Sequence, residues 1–126
     1  MDSKLKKILL VEDEQDAREA VEEMLRSDGL SVKSVSESQA GLKALLDNPN
    51  EFSMVLLDRL MPEMDGLRFL DEMRQHDALA KTPVIMISDA EDHEAIAEAV
   101  SKGVFDFLDK PIHKPHLLEL VSLATV

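Results

Sequence analysis

The sequence has no cysteine, tryptophan or tyrosine, and only four of its 126 residues are phenylalanine. Without cysteine there can be no disulfide and no thiolate metal site, so a reducing cytoplasm is a fitting compartment. No apolar run approaches the ~20 residues that a membrane-spanning helix needs, and the first residues lack the apolar segment of a signal peptide. We therefore expect a cytoplasmic protein that makes no membrane contact.

Basic residues are also few. The chain has 26 acidic and 14 basic residues, which gives a formal net charge of −12. Such a surface repels nucleic-acid phosphates and anionic lipids, so direct nucleic-acid binding is not expected. Apolar residues make up 44% of the chain, enough for a packed core, and the length suits one domain over residues 1–126.

Short apolar runs alternate with helical stretches along the chain. Continuous apolar runs predict strands that are buried on both faces, and a run with alternating polar residues predicts a sheet edge. The predicted strands are 8–11, 30–35 (the edge strand), 54–57, 83–87 and 104–108. Helical spacing is found over 17–25, 40–46, 67–73 and 95–100, and again after Pro115. Five such units predict an α/β protein with a parallel sheet, helices on both faces and right-handed crossovers.

Polar residues stand at the carboxyl ends of four of these strands, where parallel sheets bind their ligands. Glu12 and Asp13 follow strand 1, Asp58 follows strand 3, Ser88 follows strand 4, and Lys110 follows strand 5. Three carboxylates in one pocket repel each other unless a cation intervenes, and Mg²⁺ prefers such oxygen ligands. The simpler alternative is a solvated acidic loop.

Asp58 is the candidate nucleophile of this edge, since a carboxylate can attack phosphorus and form an acyl phosphate. Lys110 would supply a compact positive charge to a transferring phosphoryl group. Ser88 would offer a hydroxyl to another phosphoryl oxygen. The alternatives are an ordinary surface lysine and a serine that caps the end of its strand.

Four segments together resemble the receiver domain of two-component response regulators. They are Glu12-Asp13, the stretch DRLMPEMDG from Asp58 to Gly66, Ile87-Ser88, and FLDKP from Phe107 to Pro111. The resemblance covers nearly the whole chain, and Asp58 to Gly66 is its most specific part. It implies a flavodoxin-like (βα)₅ three-layer sandwich with strand order 2-1-3-4-5.

By this resemblance, Asp58 is the acceptor of a phosphoryl group from a histidine-kinase phosphohistidine. Asp13, Asp58 and the main-chain carbonyl of Leu60 would ligate Mg²⁺, which Mn²⁺ could replace. Glu12 would act mainly through water. Lys110 and Ser88 would complete the phosphoryl site.

The resemblance also assigns a switch. Ser88 and Phe107 would be the switch pair, and the Lys110–Pro111 peptide would be cis, which only an X–Pro bond readily allows. Phe107 could instead be a simple core residue. The phosphorylated state would act through the face formed by helix 4, strand 5 and helix 5.

The sequence departs from the family pattern in three places. Asp89 follows Ser88, where a small residue is usual. Phe107 lacks the hydroxyl of the more common tyrosine. The last helix is apolar, with little polar relief, and lacks basic residues that some receivers use for dimer salt bridges; its apolar residues are Leu117, Leu118, Leu120, Val121, Leu123 and Val126.

The expected function is a phosphorelay switch, not an enzyme that acts on outside substrates. Its expected partners are a sensor histidine kinase or phosphotransfer protein and a downstream effector, with a homodimer through the helix 4–strand 5–helix 5 face as a further expectation. A phosphatase is disfavoured because Leu60 occupies the position of its general acid. A flavodoxin is disfavoured because Glu12, Asp13 and Glu14 would repel the flavin phosphate. A pseudo-receiver, which docks proteins with impaired phosphorylation because of Asp89, remains the alternative.

Overall fold

The computed structural model of the protein describes residues 7–89 and 93–126. Strands and helices alternate from the first described residue to the last helix. The strands are β1 (Lys7–Val11), β2 (Ser31–Val35), β3 (Met54–Asp58), β4 (Val84–Ser88) and β5 (Asp106–Asp109). The helices are α1 (Gln15–Arg26), α2 (Ser38–Asp47), α3 (Gly66–Arg74), α4 (His93–Ser101) and α5 (Lys114–Ala124).

All five strands are parallel, and they lie in the order β2-β1-β3-β4-β5. This order confirms the predicted flavodoxin-like fold. β3 lies in the middle of the sheet, so its last residue, Asp58, is flanked by the ends of β1 and β4. Asp58 pairs with Ile87, and Ser88 pairs with Asp109 on the next strand.

The sheet has an apolar cluster on each face, because successive strand residues point to opposite sides. Leu9, Val55 and Met86 contribute to a cluster with residues of α2 and α3. On the other face, strand residues pack with Val21 of α1 and Leu117 of α5. Both clusters consist mainly of aliphatic residues and methionine, as the scarcity of aromatics requires. Within the described ranges, no helix is both long and apolar enough to cross a membrane.

The observed fifth strand begins two residues later than the predicted span 104–108. Gly103 ends α4 with a φ of 83°, and the amide of Val104 still bonds to the carbonyl of Ala99. The chain thus completes the end of the helix before it becomes extended. A 3₁₀ turn at Asp77–Leu79 was not predicted either.

Most of the apolar residues of the last helix lie on the face that packs against the sheet. Leu117, Leu120 and Val121 are buried, and Leu118 packs partly against them. Leu123 is 56% exposed, and Val126 is exposed beyond the end of the helix. One face of α5 therefore supplies the core while its carboxyl end presents apolar side chains to the surface.

Candidate functional site

Three carboxylates meet at the carboxyl ends of β1 and β3. Oxygen atoms of Glu12, Asp13 and Asp58 all lie within 4.8 Å of one another. Glu12 is 3% exposed and Asp58 is 2% exposed, whereas Asp13 is exposed. Buried strands deliver the first and last of these side chains, since both follow directly on fully buried apolar residues. The alternative of a solvated acidic loop does not describe Glu12 and Asp58.

The carboxyl group of Glu12 has a raised pKa. Burial raises its pKa to about 7, and both a hydrogen bond with Asp58 and the negative charge of Asp58 act in the same direction. A hydrogen bond from the Glu14 amide and the charge of Lys110 act the other way. A cation among the three carboxylates would lower this pKa, because it stabilises their charged forms.

Lys110 is the cation of the site. Its ammonium nitrogen lies 3.2 Å from Oδ1 of Asp58, and 40% of its side chain is exposed. The amide of Lys110 donates to the carbonyl of Ser88, which fixes the backbone of this residue against the end of β4. Burial lowers the pKa of Lys110, but the charge of Asp58, the hydrogen bond with it and the charges of Glu12 and Asp89 together outweigh burial, so that the pKa lies above its ordinary value. The peptide between Lys110 and Pro111 is cis.

The loop after Asp58 folds back on the strand end. The amide of Leu60 donates to Oδ1 of Asp58 at 3.3 Å, and the amide of Gly66 donates to the carbonyl of Arg59. A Cβ atom on Gly66 would lie 2.8 Å from the carbonyl oxygen of Asp58, a contact that backbone atoms cannot easily relieve. Asp65 then caps α3 by accepting from the amide of Arg68. Gly66 belongs to the stretch from Asp58 that resembles the family, but its close approach to the backbone of Asp58 was not predicted from the sequence.

Ser88 lies on β4, the strand next to Asp58, and Phe107 lies on β5, one strand further out. Ser88 is 3% exposed, and among residues 7–89 and 93–126 its hydroxyl oxygen has no hydrogen-bond partner. A buried hydroxyl without a hydrogen-bond partner costs the folded protein about 1–3 kcal/mol, and a ligand that forms a hydrogen bond with it would remove this cost. Phe107 is half-buried and packs against the apolar cluster on the α2–α3 face. It thus contributes to the core, and its role as a switch stays a prediction.

A cavity of about 590 Å³ opens beside the carboxylates and Lys110. Its other wall is apolar and comes from α1 and from the segment after the cis peptide. The side chains of that wall are Ala17, Ala20, Val21, Met24, Pro111 and Ile112. Sequence reasoning missed this wall, although the small residues of α1 were a signal for it.

Asp89 follows Ser88 directly and is exposed. α4 begins at His93. Asp89 could instead cap a helix that starts near Glu91, but this interpretation depends on residues 90–92, which lie outside the described ranges.

This strand order and this cluster of strand-end residues define a receiver domain. Residues 8–122 match the family described as response regulator receiver domain. The chain belongs to this family, the receiver domains of two-component response regulators.

Individual relatives agree with this assignment. The chain is similar to the transcriptional regulatory protein GltR of Pseudomonas aeruginosa, with 34% identity over 91% of this chain and 47% of that protein. It is similar to the regulatory protein AtoC of Escherichia coli, with 32% identity over 95% of this chain and 25% of that protein. It thus spans less than half the length of these two relatives.

A crystal structure of a response regulator receiver domain protein from Clostridium thermocellum is similar to the whole fold. The TM-score is 0.90 at 28% identity, over 96% of this chain and 94% of that chain.

Proposed function

We propose that this receiver domain is a phosphorylation switch that accepts a phosphoryl group on Asp58 from a histidine-kinase phosphohistidine. The observation that carries the proposal is the position of Asp58. Its buried carboxylate lies 3.2 Å from the ammonium of Lys110 and within 4.8 Å of two further carboxylates. A nucleophile is thereby held beside both a cation and a set of oxygen ligands.

The oxygen donors fit Mg²⁺, which takes hard ligands and commonly uses one or two carboxylates. Asp13, Asp58 and the main-chain carbonyl of Leu60 would hold it, with Glu12 acting through water, and Mn²⁺ could substitute. When bound, the ion would neutralise charge on the phosphoryl oxygens and relieve the repulsion among the carboxylates.

The proposed transfer forms one bond and breaks one. A carboxylate oxygen of Asp58 attacks phosphorus, and the bond between phosphorus and the histidine nitrogen breaks. The electron pair of that bond stays with the imidazole, which takes up a proton, and an acyl phosphate remains on Asp58. Lys110 holds a phosphoryl oxygen and stabilises the charge that builds up during transfer.

The response would begin at Ser88, whose buried hydroxyl can donate to a phosphoryl oxygen. Movement of Ser88 would then be transmitted with Phe107 to the face formed by α4, β5 and α5. A two-state equilibrium that phosphorylation shifts is the expected physical basis. This face would meet an effector domain, a separate effector protein or a second copy of the chain, in the cytoplasm, with no turnover of outside substrates.

The presence of Asp89 favours one alternative, a pseudo-receiver. Such a domain is itself poorly phosphorylated and serves to dock other proteins. Phosphoramidate, a small donor with a phosphorus–nitrogen bond, separates the two. With Mg²⁺ present, intact-protein mass spectrometry should show the addition of one phosphoryl group to wild type and none to Asp58→Asn. Unlabelled wild type with phosphoramidate, even at high salt, would reject the switch and favour the pseudo-receiver.

A further inference from the structure

We propose that Asp89 determines donor specificity by disfavouring free, doubly negative phosphodonors relative to phosphoryl groups presented by a protein. The inference rests on the proposed function of Asp58. Asp89 would touch neither the metal nor the attacking oxygen. Its role would be electrostatic, at the entrance to the site.

The backbone places Asp89 beside Lys110. The carbonyl of Ser88, the residue before Asp89, accepts a hydrogen bond from the amide of Lys110 at 3.2 Å. The two residues therefore leave neighbouring strand ends at the same level of the sheet. Asp89 is exposed, so its side chain lies at the protein surface and not in the core.

Asp89 also lies near enough to Lys110 to affect its pKa. Asp58, Glu12 and Asp89 each favour the protonated ammonium and so help to raise the pKa of Lys110. One cation thus serves three carboxylates. Asp89 is the exposed member of that set, whereas Glu12 and Asp58 are buried.

Two consequences follow for an incoming anion. Asp89 repels it directly, and Asp89 also competes with it for Lys110. For unit charges ~6 Å apart, an effective dielectric constant between 80 and 20 gives a rate penalty of about threefold to a hundredfold. The penalty grows with the charge of the donor and is reduced by salt, because Asp89 is exposed.

A protein donor can escape this penalty, because basic side chains near its phosphohistidine would pair with Asp89. The preferred donor is therefore a phosphohistidine whose surroundings are positively charged. Free acetyl phosphate, which is doubly negative, is the least favoured type of donor. Phosphoramidate, which is singly negative near neutral pH, lies between them.

The matched variants are Asp89→Asn and Asp109→Asn. Both remove one exposed carboxylate next to Lys110 in sequence or in space, but Asp109 is not among the groups that raise the pKa of Lys110. With saturating Mg²⁺ at low salt, Asp89→Asn should accept phosphate from acetyl phosphate about threefold to a hundredfold faster than wild type. The gain should be smaller with phosphoramidate and smaller at high salt, and Asp109→Asn should stay near the wild-type rate.

Mg²⁺ binding, measured by calorimetry, gives a second readout with the opposite sign. Loss of the Asp89 charge should weaken cation binding while it speeds anion entry, and a purely structural change would not move the two in opposite directions. Equal rates for wild type and Asp89→Asn with acetyl phosphate at low salt, or equal gains in both variants, would overturn the inference while leaving Asp58 as the acceptor. Absence of labelling in wild type with phosphoramidate, even at high salt, would overturn the proposed function, and this inference with it.

Discussion

The ammonium nitrogen of Lys110 lies 3.2 Å from Oδ1 of Asp58, and this ion pair joins the end of β5 to the end of the central strand. Asp58 is almost fully buried, while 40% of the Lys110 side chain is exposed. The pair is therefore accessible from the side on which a phosphodonor would arrive. An ordinary surface lysine would not be held this close to a buried carboxylate.

Lys110→Ala should slow phosphorylation without losing the metal. Removal of a charge-assisted hydrogen bond of about 1.5–3 kcal/mol corresponds to roughly a tenfold to 150-fold slower transfer. Mg²⁺ should bind at least as tightly, because three carboxylates then lack their cation. Labelling rates and calorimetry measure the two effects, and Lys114→Ala, which removes an exposed lysine of α5, is the control. Wild-type rates and affinity in Lys110→Ala would reduce Lys110 to a surface residue.

Mg²⁺ should stabilise the folded protein. At a free concentration ten times Kd, the gain in unfolding free energy is about 1.4 kcal/mol. Thermal melts followed by far-ultraviolet circular dichroism are suitable, because the chain has no tryptophan. Asp13→Asn should lose most of the shift. An equal shift in this variant, or none in wild type at millimolar Mg²⁺, would count against the site.

The raised pKa of Glu12 predicts that the stability of the protein depends on pH in the absence of Mg²⁺. Its pKa is raised from 4.5 to about 7 in the folded protein, so the folded state keeps a proton that the unfolded state has lost. Stability should therefore fall as the pH rises through this window, and the loss should be complete above about 7. Glu12→Gln mimics the protonated form and should lack this component. Glu119→Gln, on the exposed side of α5, is the control.

The informative quantity is the difference between wild type and Glu12→Gln at each pH. Denaturant unfolding between pH 4.5 and 7 should show wild type losing stability relative to the variant. Parallel curves would show that burial of Glu12 does not raise its pKa. Saturating Mg²⁺ should reduce the difference, because the cation stabilises the charged carboxylate.

Gly66→Ala should damage both the fold and the site. Its new Cβ would lie 2.8 Å from the carbonyl oxygen of Asp58 and 3.0 Å from Cα of Arg59, so the backbone at Asp58 must shift. We expect a loss of about 1–3 kcal/mol, typical of overpacking, together with slower phosphorylation.

Gly29→Ala provides the comparison. Gly29 has a φ of 83°, so alanine is strained there, but a Cβ at that position has no neighbour within 4 Å. This variant should lose stability by about 1 kcal/mol and keep the wild-type labelling rate. Equal labelling rates in the two alanine variants would mean that Gly66 does not position Asp58.

The sheet could be predicted because its apolar runs are continuous. The residues of 8–11, 54–57 and 84–87 are fully buried, and short runs of this kind are typical of strands covered on both faces. The start of β5 could not be predicted, because Val104 is as apolar as a strand residue but its amide bonds to Ala99 at the end of α4. The chain joins the sheet only from the amide of Phe105, which bonds to Val84. Helix termination there depends on Gly103 and on hydrogen bonds that only the folded chain shows.

The residues of the site could be predicted from the sequence, but the burial of each side chain could not. Spacing placed Glu12, Asp58 and Lys110 at neighbouring strand ends. It could not show that Glu12 is buried and Asp13 exposed, since that depends on how the loop after β1 turns. Nor could it reveal Arg74, whose guanidinium ties the end of α3 to the end of α4 by donating to the carbonyls of Leu79, Thr82, Lys102 and Gly103.

The decisive measurement locates the phosphoryl group on the chain. Wild-type protein is incubated with phosphoramidate and Mg²⁺, the acyl phosphate is reduced with borohydride, and the modified residue is identified by peptide mass spectrometry. We expect a single reduced residue, Asp58, and no such product in Asp58→Asn or without Mg²⁺. Reduction at another carboxylate in wild type, or undiminished labelling of Asp58→Asn, would contradict the assignment of Asp58 as the phosphoryl acceptor.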